Sequence, residues 1–185
     1  MEQMSLTISF AEEELWELMK RKHMDAISFA EMNALYKKVL RSIRPIAYYQ
    51  QKCNTDVVAV ITLGKPLDEL LETYSKQGNL YDAYVIESIA MEMLSKTYGK
   101  LNQLLLRKTG LWARSYQFPG AELPIEDMQE IFERLRPIPV TYNQAYQMQP
   151  QKSVAFRVVF TDKQDESFGN TCETCNNKNC TQRKK

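Results

Sequence analysis

RSYQFPGAELPIEDMQEIFERLRPIPVTYNQAYQMQPQKSVAFRVVF, residues 114–160, is the stretch whose reading settles the fold. It reads as an arginine, an aromatic loop ending in Pro119-Gly120, a short helix, and a buried strand that closes at Phe160. The helix is well specified. Pro124 stands where a first-turn proline is tolerated, Glu126 and Asp127 suit the positive end of the helix dipole, and Arg134 and Arg136 suit the other end. Ile125, Met128, Ile131, Phe132 and Leu135 recur at helical spacing and form one apolar face. Arg114 ahead of a Pro-Gly turn suits a ligand carboxylate or phosphate. Its guanidinium fork would hold the anion in a cleft lined by Tyr116, Phe118 and the amides near Gly120. The competing reading makes Arg114 a surface side chain paired with Glu122.

Upstream, the signals are mainly helical. Ser9-Phe10-Ala11-Glu12 and Ser28-Phe29-Ala30-Glu31 both have the S-x-x-E form of a capping box, and helical periodicity follows each. Pro45 ends the second helix, and residues 46–50 look extended. Residues 53–56 form a turn into Val57-Val58-Ala59-Val60-Ile61-Thr62-Leu63, a β-branched run that predicts a central strand covered on both faces. A short helix follows over residues 67–76, and Gly78-Asn79 breaks the chain again. Residues 80–108 contain no proline and one glycine, Gly99, which predicts one long helix or two with a bend there. Gly110 is a natural C′ residue for it.

At 185 residues the chain suits one domain, over residues 1–162, with residues 163–185 as a polar tail that cannot bury a core of its own. Lys+Arg 24 against Asp+Glu 23 leaves no basic excess, which argues against nucleic acid or an acidic membrane as partner. No signal-peptide pattern and no apolar run of membrane-spanning length is present, so the expected location is the cytoplasm. The tail carries Cys172, Cys175 and Cys180 in C-x2-C-x4-C spacing, the common half of a zinc or iron–sulfur site. A redox-active thiol cluster is the competing reading, and a metal would need a fourth ligand from Cys53, His23, an aspartate or a second subunit. His23 is the single histidine and reads as a solvated residue near a helix end. Serine-triad and multi-histidine metal chemistry are therefore not expected. Neither G-x-x-x-x-G-K-[ST] nor G-x-G-x-x-G occurs. Glu92 reads as solvated, whereas Glu87 could face a cleft.

Several segments in order resemble the activation domain of cobalamin-dependent methionine synthase in its small stand-alone bacterial form. Val60-Ile61-Thr62-Leu63-Gly64 is similar to the family's V-x-T-L-G strand, and the helix through Ile86-Glu87-Ser88-Ile89-Ala90 to the helix behind it. Residues 114–132 resemble the R-x-x-x-G-Y loop and its following helix. Met148-x-Pro150-x-x-Ser153-Val154 resembles the run M-x-P-x-x-S-V. The likeness spans residues 56–160, with a looser match over the two N-terminal helices.

The resemblance implies an α+β fold, a single C-shaped domain with a twisted antiparallel sheet and long flanking helices. It implies that the domain binds S-adenosylmethionine and presents its methyl group to cobalamin carried by a partner methyltransferase or corrinoid protein. Arg114 and Gly120 match the arginine that holds the methionine carboxylate and the loop glycine. Tyr116 or Phe118 would stand in for the family's tyrosine, whose place is taken by Ala121. Gln144 replaces the glutamate of the family's Thr-Glu pair, and the loop is two residues longer between arginine and glycine. Two alternatives follow from these departures and from the tail. One is a corrinoid-protein partner or sensor that has lost S-adenosylmethionine. The other is an iron–sulfur electron donor to cob(II)alamin.

Overall fold

The computed structural model describes residues 1–164, so Cys172, Cys175 and Cys180 lie outside the described residues. The chain runs β1 (Glu2–Ser5), α1 (Glu12–Arg21), α2 (Phe29–Ser42), β2 (Ile46–Cys53), β3 (Asp56–Thr62), α3 (Lys65–Lys76) and α4 (Leu80–Thr109). It continues β4 (Trp112–Gln117), α5 (Asp127–Leu135), β5 (Thr141–Tyr142), β6 (Met148–Gln149) and β7 (Ser153–Thr161). Strands order as β1-β2-β3-β7-β4 in a twisted antiparallel sheet, and β5 and β6 form a small hairpin of their own. This is the α+β architecture expected. Among the described residues no helix is long and apolar enough to cross a membrane.

Alternation along β3 explains why that strand is central. Val57, Ala59 and Ile61 enter one apolar cluster with residues of α1 to α4, whereas Val58 and Val60 enter a second with Met128, Ile131, Phe132 and Leu135 of α5. The strand is therefore apolar on both faces because it is covered on both. α5 is also held by charge. Arg134 pairs with Asp56 at 2.9 Å and donates to Gln50 at 3.1 Å, and Arg157 of β7 donates to Glu130 at 2.6 Å. The long helix is unbroken through Gly99, and Gly110 closes it in the left-handed region at φ 71°.

Three local expectations are corrected. The box at Ser28 forms with Glu31, but α1 starts two residues later than the Ser9 pattern implies. There Glu14 accepts from the Ala11 amide at 2.9 Å, while the Ser9 carbonyl accepts from Lys96 across the fold. Residues 112–117 form an edge strand and not a loop. Ala113 pairs with Phe160 and Ser115 with Val159, which leaves Arg114 as the extra residue of a β-bulge. The bulge resets the side-chain alternation. Ala113 and Tyr116, three residues apart, both reach the helical-side core, which an unbroken strand would forbid. Finally β1, unforeseen, extends the sheet on the far edge and is tied to α4 by the Glu2–Lys108 ion pair.

Beneath β4, four aromatic rings pack together: Phe156 lies 4.6 Å from Tyr116, 5.6 Å from Tyr98 and 5.9 Å from Phe118, centroid to centroid. Burial raises the Tyr98 phenol well above its ordinary value, and Tyr116 likewise, with the neighbouring Tyr98 adding to the shift. The folded state thus favours the neutral phenols, with pKa values above the unfolded value of about 10. Their contribution to stability is fully present below that pH and is lost as pH rises above it towards the folded values. The melting temperature should fall above about pH 10, and tyrosinate absorbance should show these two phenols ionising only with unfolding.

Candidate functional site

The segments that carry the family resemblance meet at two places in the fold. The first joins the end of β3 to the start of β7. Gly64, at φ 93°, donates its N–H to Thr62 Oγ1 at 3.1 Å, the Thr62 and Ser153 hydroxyls lie 2.8 Å apart, and Ser153 Oγ lies 2.6 Å from the Pro150 carbonyl. Each hydroxyl carries one proton. With Ser153 donating to Pro150, Thr62 donates to Ser153 while accepting from Gly64, so every group is satisfied. Beside this chain, the Gln151 amide donates to Asp68 at 2.8 Å, and Lys152 pairs with Glu87 at 2.7 Å. Glu87, expected to face a cleft, holds the 150–153 turn against α4. Glu92 is likewise engaged, with Arg21 at 2.6 Å.

The second place is the edge of the sheet at β4. Arg114 sits exposed on the bulge. Phe118 then packs into the helical-side core and Ile125 into the α5-side core, so residues 118–125 wrap round the sheet edge from one layer to the other. Gly120 has φ 83°, which explains the glycine on backbone grounds; a Cβ there would meet only the tip of Ile125, at 3.0 Å from Cδ1. The loop is closed on itself. Gly120 N–H donates to the Leu123 carbonyl at 2.9 Å, Ala121 and Leu123 N–H donate to the Phe118 carbonyl at 3.0 and 3.1 Å, and Phe118 N–H donates to Glu122 at 3.0 Å. The amides expected to cradle an anion near Gly120 are therefore engaged within the loop. That leaves Arg114 and Glu122 as its charged groups.

Tyr116, expected to line a cleft, is 1% exposed. Its hydroxyl donates to Asn102, and its ring supports β4 from behind. The R-x-x-x-G spacing places its arginine four residues before the glycine, which here is this buried tyrosine. Gln144 is exposed at the tip of the β5–β6 hairpin, whose turn is built by Asn143 Oδ1 accepting from the amides of Ala145 at 2.9 Å and Gln147 at 3.0 Å. Tyr142 anchors the hairpin to α5 through Phe132 at 4.8 Å and stacks on Tyr146 at 5.8 Å. The structure thus brings Arg114, Gly120 and Ala121 to one edge, puts Gln144 on a separate hairpin, and places Tyr116 in the core.

Two surface hollows lie elsewhere. One, of about 290 Å³, is lined by Thr7, Ser9, Lys96, Gly99, Lys100 and Gln103, and another, of about 250 Å³, by residues of the α1–α2 connection, α2 and the start of α4. Among the described residues no group of three His, Cys, Asp or Glu side chains is placed to hold a metal ion. Cys53 is exposed at the β2–β3 turn, and hydrogen bonds from the Thr55 backbone and then its hydroxyl hold its thiol below the usual pKa. His23 is exposed just past α1, with φ 51°.

No protein-family profile matches the chain, and no curated protein matches it. Among solved structures, the chain is similar to the MetH reactivation domain bound to AdoHcy. The TM-score is 0.52 and the identity 11%, with 92% of this chain and 80% of that chain covered. The chain has the fold of the MetH reactivation domain.

Proposed function

We propose that this protein binds S-adenosylmethionine and serves, in the cytoplasm, as a reactivation module for a separate cobalamin-dependent methyltransferase. The observation that carries the reading is the shared fold with a domain bound to AdoHcy, over 92% of the chain. Residues 1–162 form the domain in this reading. Arg114 holds the ligand carboxylate, with Gly120 and Ala121 giving it close access to the backbone. Glu122, which already faces the loop, supplies negative charge that a sulfonium requires and that neutral Gln144 does not. Gln144 offers an amide to the ribose hydroxyls, and Tyr116 supports β4 from beneath. Cobalamin, on the partner, supplies the methyl-accepting cobalt when bound. This chain positions the donor and contributes no nucleophile or general base. Cys172, Cys175 and Cys180 would hold zinc or an iron–sulfur cluster beside that task, and a cluster would make the tail an electron donor to the cobalt.

A second reading has a specific observation in its favour. Because the loop N–H groups donate to the loop's own carbonyls, the chain would keep the fold and the corrinoid-protein partner but lose the ligand. Calorimetric titration with S-adenosylmethionine separates the two. The first reading expects saturable binding that weakens about ten- to hundredfold in Arg114→Ala, the value of a charged hydrogen bond. Absence of heat at millimolar ligand favours the second.

A further inference from the structure

Gly99 is the one glycine of α4, and nothing in the described fold requires it. It lies deep inside a helix of 30 residues, where glycine weakens the helix relative to alanine. A Cβ at Gly99 would meet no atom within 4 Å, so packing does not exclude a side chain, and no left-handed φ calls for glycine there. What the missing side chain does is leave open a hollow of about 290 Å³ between α4 and residues 7–9. Glycine is the usual residue where a ligand comes close to a backbone.

The walls of the hollow have the chemistry of an anion site. Lys96, Lys100 and Gln103 flank Gly99 on one face of α4. On the other wall Leu6 and Ile8 enter the core, which leaves Thr7 and Ser9 exposed. That wall is fixed at both ends. The Leu6 N–H donates to the Pro45 carbonyl at 2.8 Å, and the Phe10 N–H donates to the Tyr36 hydroxyl at 2.7 Å. Lys96 ties the walls together: it donates to the Ser9 carbonyl at 2.9 Å and pairs with Glu14 at 2.6 Å, which balances its charge. Lys100 is not balanced in this way. Among the described residues no hydrogen bond or ion pair engages the side chains of Thr7, Ser9, Lys100 or Gln103, and no carboxylate lines the hollow.

We propose that this hollow binds the phosphate group of a small molecule, with Lys100 as its counter-charge and Gly99 giving it room against α4. Two hydroxyls, an amide and an ammonium face the space from two walls. A phosphate has three strong acceptor oxygens to meet both walls, where a carboxylate has two in one plane. A net charge of +1 gives no field for a polyanion, so the ligand is small. The site shares no residue with the β4 edge and stands independently of the proposed function.

Titration of the isotope-labelled full chain with sodium pyrophosphate at constant ionic strength, followed by amide resonances, tests this. Wild type should show saturable shifts at Thr7, Ser9, Gly99, Lys100 and Gln103, with a dissociation constant on the order of a millimolar or tighter. Lys100→Gln should weaken binding about tenfold or more. Gly99→Leu, which fills the hollow, should abolish binding yet melt no lower than wild type, because it removes a mid-helix glycine. Succinate should bind at least about tenfold more weakly than pyrophosphate. Absence of saturable shifts at about ten millimolar, or shifts that sodium chloride reproduces, overturns the proposal. So does unchanged binding in Gly99→Leu, or succinate binding as tightly as pyrophosphate.

Discussion

Phe156→Ala should cost about 3–5 kcal/mol of folding stability, the usual loss for a phenylalanine removed from a packed core. Phe156 is fully buried on the central part of β7, and its ring touches Tyr98, Tyr116 and Phe118. Those partners come from α4, from β4 and from the start of the loop that follows it. Loss of the ring removes a common support of the sheet edge and the long helix. The cavity cannot be refilled by simple collapse, because Tyr116 is held from its polar end by Asn102. Urea unfolding of the variant should show a lower midpoint with an unchanged slope. A change below about 1 kcal/mol would mean that the cluster is loosely packed.

Thr62→Val should be the other large effect, although it keeps the shape of the side chain. Thr62 is 4% exposed, and its hydroxyl accepts from Gly64 and meets Ser153 at 2.8 Å. Valine leaves the part-buried Gly64 N–H without its acceptor, at about 1–3 kcal/mol, and removes the donor to Ser153, a lost hydrogen bond of about 1 kcal/mol, while Ser153 keeps its bond to Pro150. Gly64 has no easy way to turn elsewhere, since its φ is 93° and its Cβ position lies 3.2 Å from Arg44 Cβ. A total loss of about 2–4 kcal/mol, read by thermal or urea melts, is expected. Ser153→Ala should cost less, because the Gly64 N–H keeps Thr62 as its acceptor.

Much of this fold was legible in the residues, for physical reasons that can be named. β3 announces itself because both its faces are covered, so the whole run is apolar. α4 does so because no proline interrupts it and Gly110 closes it. The capping box at Ser28 is likewise local chemistry that completes itself within four residues. The misreadings all depend on partners far away in sequence. Ser9 stands outside the helix, with Ala11 at the N-cap and the Ser9 carbonyl accepting from Lys96. β4 is hidden by its bulge, because an extra residue at Arg114 destroys the period-two pattern that would mark a strand. Tyr116 reads as a loop aromatic until that bulge turns it inward. β1 is too short to show alternation and forms only because β2 offers it an edge.

The candidate site was legible in its parts and not in its arrangement. The Pro119-Gly120 turn and the exposed arginine are local signals, and both are where the residues put them. That the loop satisfies its own amides follows from Glu122 and from the Phe118 carbonyl accepting twice, a geometry no spacing motif encodes. Gln144 sits on a hairpin whose two strands are two residues each, below the length at which any strand pattern can be read.

In the proposed function, the β4 edge of this fold receives S-adenosylmethionine. A titration of the isotope-labelled protein with S-adenosylmethionine, followed amide by amide in nuclear magnetic resonance spectra, tests it most directly. Saturable shifts concentrated at Arg114, Gly120, Ala121 and Glu122 are expected, with a second set at the hairpin around Gln144. Shifts confined to other surfaces, or none at millimolar ligand, would contradict it.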